Sequence, residues 1–153
     1  MSLSQAEKHQ IYQSLSKQIE ALIDPNVALI SNYANVCAAI QSAFKHWWCG
    51  FYLVNNQQLE LGPFQGPVAC TVIGFNKGVC GSAWAQKSTI VVPDVHQFEG
   101  HIACSSESNS EIVVPVFKNE TVIAVLDIDS IYFNTFDEVD AMYLEQMVKW
   151  LNV

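Results

Sequence analysis

The chain has 153 residues, half of them hydrophobic, and carries seven basic against fifteen acidic residues, for a net charge of -8. All seven basic residues are lysines, and arginine is the side chain that best grips phosphates and base edges, so we do not expect binding to nucleic acids or anionic membranes. The length predicts one domain with its own core, and the composition favours a small neutral or zwitterionic ligand.

The start of the chain is polar and lacks the apolar core of a signal peptide, and no apolar run approaches the length of a membrane span. We therefore expect a soluble cytoplasmic protein. In that reducing compartment, cysteines on loops more often do chemistry or bind metal than form structural disulfides.

Two helices are predicted first. Ser4 and Glu7 form a capping box, and the apolar residues behind them recur at helical spacing until Asp24 and Pro25 end the helix. A second helix follows, with an apolar face made of Ile30, Tyr33, Cys37, Ile40 and Phe44.

The pattern then changes to that of strands. We predict strands over residues 47–54, 58–61 and 68–73, with 62–67 separating the last two, then a short helix over 78–86 and a short strand over 89–92. A polar loop over 94–110 leads into a hairpin of 111–117 and 121–130. Thr135 and Glu138 indicate a capping box for a last helix that reaches about Leu151. This order predicts an α+β fold with helices packed on an antiparallel sheet.

Two carboxylates stand at the end of the last predicted strand. Strand alternation places Asp127 and Asp129 on the same face, together with Ile123 and Val125. Burial and mutual repulsion would raise the pKa of one acid, which could then act as a general acid near neutral pH. Glu111 opens the neighbouring strand and could reach the same end. The alternatives are that the pair marks the exposed end of a strand or caps a turn, and that Glu111 is a solvated loop residue.

The five cysteines divide into two groups. Cys37 lies on the apolar face of the second helix and Cys49 inside a strand, so both are predicted to be structural. Cys70, Cys80 and Cys104 lie beside glycines or small polar residues, which indicates chemistry.

That chemistry has two interpretations. As metal ligands, Cys70, Cys80 and Cys104 would be joined by His96 and His101, but no pair shows the Cys-x-x-Cys spacing of structural zinc sites, which disfavours metal. As redox groups, one thiolate would attack and another would resolve the product as a disulfide. The two histidines are predicted to be surface residues, with activation of a thiol as their functional alternative.

Trp47, Trp48 and Tyr52 form an aromatic cluster on the first predicted strand. Trp48 and Tyr52 share strand parity and therefore one face. They form either a core pair or the wall of an apolar pocket for a small ligand.

Seven short motifs give the chain a family resemblance. They are WCGFYL at 48–53, LGPFQG at 61–66, GVCG at 78–81, PDV at 93–95, HIAC at 101–104, SEIVVP at 110–115 and LDIDS at 126–130. With them the chain resembles the free methionine-(R)-sulfoxide reductases, which are single GAF domains. The resemblance covers nearly all of 1–153 and is least specific over 1–25.

The resemblance implies a role for each candidate residue. Cys104 is the nucleophile, Cys70 the main resolving cysteine and Cys80 a second or alternative partner. The carboxylates that engage the sulfoxide oxygen and the amino group of the substrate are Glu111, Asp127 and Asp129. Trp48 and Tyr52 form the wall around the methyl-sulfinyl end.

The resemblance also implies a reaction. The thiolate attacks the protonated sulfoxide, methionine leaves, and the resulting sulfenic acid condenses with the resolving thiol to a disulfide. It further implies a homodimer with no bound cofactor or metal, recycled by thioredoxin. The alternative is a GAF module that binds a small molecule or senses redox state without catalysis.

Overall fold

The computed structural model describes residues 2–102, 104 and 106–152. Its helices are α1 Gln5–Leu22, α2 Leu29–Phe44, α3 Gly78–Gln86 and α4 Glu138–Lys149, with a short 3-10 helix at Val95–Gln97. Its strands are β1 Trp48–Asn55, β2 Gln58–Gln65, β3 Val72–Gly74, β4 Ile90–Val92, β5 Ser110–Lys118 and β6 Thr121–Ser130. All strand pairs are antiparallel, in the order β3-β2-β1-β6-β5-β4. The predicted α+β architecture is confirmed.

The sheet has a hydrophobic core on each face. On one face α1, α2 and α4 pack over side chains such as Phe51 and Leu126. On the other face α3 and the connecting loops cover side chains such as Tyr52 and Val125. Because neighbouring residues of β1 and β6 point to opposite faces, each central strand is buried on both sides. None of the helices within the described residues is both long and apolar enough to span a membrane.

The ends of α1 and α4 are set by local hydrogen bonds. The predicted capping box of Ser4 and Glu7 is present at the start of α1. At α4 the prediction was wrong, because the capping box is formed by Asp137 and Asp140. The Thr135 hydroxyl instead donates to Ser130 Oγ at 2.7 Å, which ties the loop before α4 to the end of β6.

The second strand is longer than predicted and the third is shorter. Between the Gly50–Phe64 and Tyr52–Leu61 pairs, β1 has one residue and β2 has two, so Pro63 lies in a β-bulge. A bulge is one of the few places where a sheet accepts a proline, and β2 therefore continues to Gln65. The segment 66–71 is a loop that carries Cys70, although residues 68–71 were predicted as the start of a strand.

Two residues predicted to share a face with their neighbours do not. A register shift in the β5–β6 pair next to Val116 turns Ile123 towards the helix-covered core, away from the face of Val125. On α2 burial begins only at Asn32, so Ile30 in the first turn remains exposed.

Candidate active site

The candidate site is a cavity on the sheet face opposite α1, α2 and α4. Its walls come from β1, β5, β6, the N-terminal turn of α3, the loop after β2 and the loop before β5. It encloses about 580 Å³ of empty space, a figure that includes its open mouth. Of the eight residues to which the family resemblance assigns a role, seven line the cavity: Trp48, Tyr52, Cys80, Cys104, Glu111, Asp127 and Asp129. The eighth, Cys70, reaches it through its bond to Cys104.

Strand pairing gathers the three carboxylates. Glu111 lies directly opposite Asp129 in the β5–β6 pair, and Asp127 lies two residues along β6 on the same face, opposite Gly50 of β1. Glu111 and Asp127 are each 6% exposed. The Ser108 hydroxyl donates to Asp129 Oδ1 at 2.8 Å, whereas the buried Oδ1 of Asp127 has no hydrogen-bond partner among the described groups.

These acids hold their protons more tightly than ordinary carboxyls. Burial, helped by the neighbouring charges of Asp127 and Asp129, raises the pKa of Glu111 well above 4.5. Burial and the charge of Asp127 likewise raise the pKa of Asp129. Burial raises the pKa of Asp127 to about 6, and its interactions with Glu111 and Cys80 limit that rise. None of the described residues that line the cavity is a lysine, so protonation is the means by which this cluster sheds charge.

An aromatic wall lies beside the carboxylates on the same sheet face, with Trp48 opposite Asp129 in the β1–β6 pair. Trp48 stacks between Tyr52 and Phe64, with ring centroids 5.9 Å and 5.3 Å away. A Cβ at Gly50, between Trp48 and Tyr52 along β1, would overlap the indole ring, so only glycine lets the indole lie flat on the strand. Both rings also bind the loop after β2: Trp48 Nε1 donates to the carbonyl of Pro67 at 3.0 Å, and the Tyr52 hydroxyl to that of Cys70 at 2.8 Å.

The reactive cysteines occupy three different settings. Cys70 and Cys104, 34 residues apart in sequence, form a disulfide with a Cα–Cα distance of 5.4 Å. Cys80 is a free thiol in the first turn of α3, where burial and the charge of Asp127 raise its pKa. Cys37 and Cys49 are free and buried in the helix-covered core, as predicted for structural residues.

The sulfurs are not arranged as the sequence-based metal alternative would require. Cys70 and Cys104 are bonded to each other, and the ring of His96 contacts Asn109 on the surface. Ligand atoms of Cys80, Glu111 and Asp127 do lie within 4.8 Å of one another, close enough to share an ion. That set includes a thiol and a carboxyl that favour their protonated forms, whereas a metal ion requires deprotonated ligands.

Two residues of the site were missed from the sequence. His101 was predicted at the surface, but it lines the cavity with Nε2 3.7 Å from Glu111 Oε2, and burial lowers its pKa. That separation is too long for a hydrogen bond. Ser108 is buried against Asp129, although nothing in its polar sequence context distinguishes it from neighbouring loop serines.

Comparison with known proteins gives a consistent result. The family model of the GAF domain matches residues 33–149. GAF domain-containing protein A of Dictyostelium discoideum is 50% identical over 99% of this chain and 97% of its own length. The free methionine-R-sulfoxide reductase of Saccharomyces cerevisiae is 42% identical over 97% of this chain and 88% of its own.

A solved structure extends the match to three dimensions. The free methionine-R-sulfoxide reductase from Neisseria meningitidis, in complex with its substrate, superposes with a TM-score of 0.91 at 46% identity, covering 99% of this chain and 90% of that one. The chain therefore belongs to the GAF-domain family and, within it, to the free methionine-R-sulfoxide reductases.

Proposed function

We propose that this protein reduces free methionine-R-sulfoxide to methionine, with Cys104 as nucleophile and Cys70 as resolving cysteine. The observation that carries the proposal is the Cys70–Cys104 disulfide at a cavity that also holds three buried carboxyls. A sulfoxide sulfur becomes electrophilic when its oxygen is protonated, so the reaction needs an acid and a thiol in one pocket. Membership in the reductase family supports the same substrate.

Asp127 is the group we assign to the ammonium of the substrate. One of its buried oxygens has no partner among the described groups, and a cation would supply it. Its pKa, about 6, lies below neutrality, so it is ionised when the substrate binds. Trp48 and Tyr52 offer the apolar surface that the methyl-sulfinyl end requires.

Glu111 is the acid we assign to the sulfoxide oxygen. The ionised Asp127 beside it favours the protonated form of Glu111, so one carboxylate holds the proton of the other in place. Asp129 completes the cluster, and its hydrogen bond from Ser108 fixes its direction.

The steps balance with the substrate, the two thiols and the carboxyl of Glu111, and they need no other source of electrons. The thiolate of Cys104 attacks the substrate sulfur while the oxygen takes a proton from Glu111, and methionine leaves as the oxygen is transferred to Cys104 as a sulfenic acid. The Cys70 thiol then attacks that sulfur, the S–O bond breaks, and water leaves. Two electrons pass from the two thiols to the sulfoxide. The thiol proton released by Cys104 replaces the one that Glu111 gave up.

Cys80 is assigned a subordinate role. A resolving thiol reacts faster when it readily becomes a thiolate, and burial beside Asp127 opposes that at Cys80. Cys70 and Cys104 are both half-buried rather than enclosed, which lets a reductant reach their disulfide. We therefore place Cys80 as an alternative partner only.

The remaining features of the cycle follow from the need to reduce the disulfide each turn. We propose thioredoxin as the external reductant and a reducing compartment, the cytoplasm, as the place of work. We further propose that residues 1–153 act as one domain, that the protein works as a homodimer, and that it holds no cofactor or metal.

A coupled assay with thioredoxin, thioredoxin reductase and NADPH tests the proposal. We expect NADPH oxidation with the R form of free methionine sulfoxide and little with the S form. Cys104→Ser should abolish methionine formation, whereas Cys70→Ser should still form about one methionine per protein without recycling. A protein that binds the sulfoxide but never consumes it would instead be the non-catalytic sensor.

A further inference from the structure

Residues 66–71 form a loop that carries Cys70 past the cavity mouth, and we call it the Cys70 loop. Its last residue, Thr71, accepts a main-chain hydrogen bond from Leu61 at 2.9 Å. Within the described part of the chain, no other main-chain to main-chain hydrogen bond involves this loop. Val68 at its middle is 88% exposed. A segment so short of main-chain bonds depends on side chains to hold its shape.

Two buried donors of β1 provide that support. The indole nitrogen of Trp48 donates to the carbonyl of Pro67, and the hydroxyl of Tyr52 donates to the carbonyl of Cys70 itself. Trp48 is 4% exposed and Tyr52 is 2% exposed, and both rise from a central strand of the sheet. The two bonds therefore tie the Cys70 loop to a central, buried strand of the sheet.

Gly66 provides a third point of attachment. Its φ of +139° is one that other residues rarely adopt, and an added Cβ would lie 2.7 Å from the Trp48 ring and 2.9 Å from the carbonyl oxygen of Trp47. The backbone of the loop thus lies directly against the tryptophan that also walls the cavity.

The carbonyl that Tyr52 binds belongs to the residue whose sulfur must meet Cys104. Fixing that carbonyl restricts the Cα of Cys70, and the observed Cα–Cα distance of 5.4 Å lies within the range that a disulfide requires. We propose that the Tyr52 hydroxyl is a positioning group for disulfide formation, which holds the Cys70 loop so that the Cys70 thiol stays within reach of Cys104. This rests on the proposed roles of the two cysteines, and it gives Tyr52 a second duty beside lining the cavity.

The step that this hydrogen bond should affect is the second step of the reaction, the formation of the disulfide. The Cys70 thiol attacks the sulfur of the Cys104 sulfenic acid, a sulfur–sulfur bond forms, and the hydroxyl leaves as water with the proton of the thiol. Its rate depends on how often the Cys70 loop presents the thiol. Loss of one well-formed hydrogen bond should lower that rate roughly tenfold.

Tyr52→Phe tests the inference, because it keeps the ring and removes only the hydroxyl. Reduced protein is treated with one equivalent of hydrogen peroxide, which oxidises the Cys104 thiolate to the sulfenic acid without any methionine sulfoxide. We expect the sulfenic acid, trapped by a 1,3-dione, to persist roughly tenfold longer than in the unmodified protein. Tyr33→Phe, which alters a buried tyrosine on the opposite sheet face, is the matched control and should not change this lifetime.

A second variant and a second measurement protect the test against a folding defect. Gly66→Ala should displace the same loop from Trp48 without touching Tyr52, and it should also prolong the sulfenic acid. In a Cys104→Ser background, which cannot form the disulfide, Tyr52→Phe should speed hydrogen exchange in the peptide that covers 66–71.

The inference is wrong if Tyr52→Phe and Gly66→Ala both form the disulfide at the rate of the unmodified protein. It is also wrong if Tyr52→Phe weakens only the binding of methionine sulfoxide, because the hydroxyl would then serve the substrate. A third outcome separates the two proposals. If the unmodified protein does not reduce methionine sulfoxide, but Tyr52→Phe still prolongs the sulfenic acid in the peroxide experiment, the proposed function fails and the positioning role of Tyr52 stands.

Discussion

Glu111 and Asp129 lie directly opposite each other across the β5–β6 pair, and both face the cavity. Like charges in this arrangement repel and destabilise a sheet. Burial raises the pKa of both residues, so each holds a proton more tightly than an ordinary carboxyl, and protonation of either one relieves the repulsion. The pairing of the two strands thereby favours a protonated carboxyl in the cavity that the disulfide borders.

Replacement of Glu111 by glutamine should remove the proton donor while keeping the shape of the side chain. We expect methionine formation in a single turnover to slow by about 100-fold or more. In the unmodified protein the same rate should fall as the pH rises through the pKa of Glu111, which lies well above 4.5, and this decline should be absent in the variant. Glu99→Gln, an exposed acid on the loop before β5, is the control. Identical pH profiles for both proteins would exclude Glu111 as the acid.

Replacement of Asp127 by asparagine should stabilise the protein at neutral and higher pH. Its pKa is raised from 3.8 to about 6 in the folded state, so the folded state binds this proton more tightly than the unfolded state does. The resulting stabilisation is present below pH 4 and is lost as the pH rises through about 6, an effect of at most about 3 kcal/mol.

Urea unfolding at several pH values checks this prediction. Asp127→Asn should exceed the unmodified protein in free energy of unfolding at pH 8, and the difference should shrink as the pH falls towards 4. Glu145→Gln, an exposed acid on α4, should show no such trend. A variant that is less stable at pH 8 would contradict the expected sign. Asp127→Asn should also bind methionine sulfoxide poorly, so that it gains stability and loses activity.

The thiols should react in an order set by burial. All three free cysteines, Cys37, Cys49 and Cys80, are buried, so the oxidised native protein should show almost no rapidly reacting thiol. Mild reduction should make two thiols reactive, those of Cys70 and Cys104. Denaturation without reduction should make the three buried thiols reactive instead. A thiol-reactive dye followed by peptide mass mapping identifies them. Rapid labelling of Cys80 in the native protein would reopen the question of which cysteine resolves the sulfenic acid.

Lys8 should matter for stability rather than for chemistry. Its ammonium is buried between α1 and α4, where it binds Asp140, the carboxylate of Asp137 at 3.1 Å and the carbonyl of Thr135 at 2.8 Å. Lys8→Met would leave the carboxylate of Asp140 buried without a cationic partner, which should cost about 3–5 kcal/mol in thermal or urea unfolding. Lys17→Met on the exposed side of α1 is the control and should cost less than about 0.5 kcal/mol. Equal effects of the two changes would show that the buried ion pair contributes nothing particular.

Features that depend on near neighbours in the chain could be predicted from the sequence. The capping box of Ser4 and Glu7 and the shared face of Asp127 and Asp129 need only local hydrogen bonds and strand alternation. The seven short motifs, with the spacing of Cys70, Cys80 and Cys104, were sufficient to predict the family. At Ile123 strand alternation failed because of a distant contact: pairing with β5 introduces the bulge that turns this side chain to the other face.

The sequence by itself thus determined the α+β class and the family, because each depends on residue types at fixed spacing, and it supplied the candidate reactive residues. Only the tertiary structure decided which of them meet. It set Glu111 against Asp129, joined Cys70 to Cys104 across 34 residues, and brought His101 from a polar loop into the cavity. Those contacts arise from the packing of whole strands and loops. The pattern of residues within a single segment does not predict that packing, because distant parts of the fold position the side chains on loops.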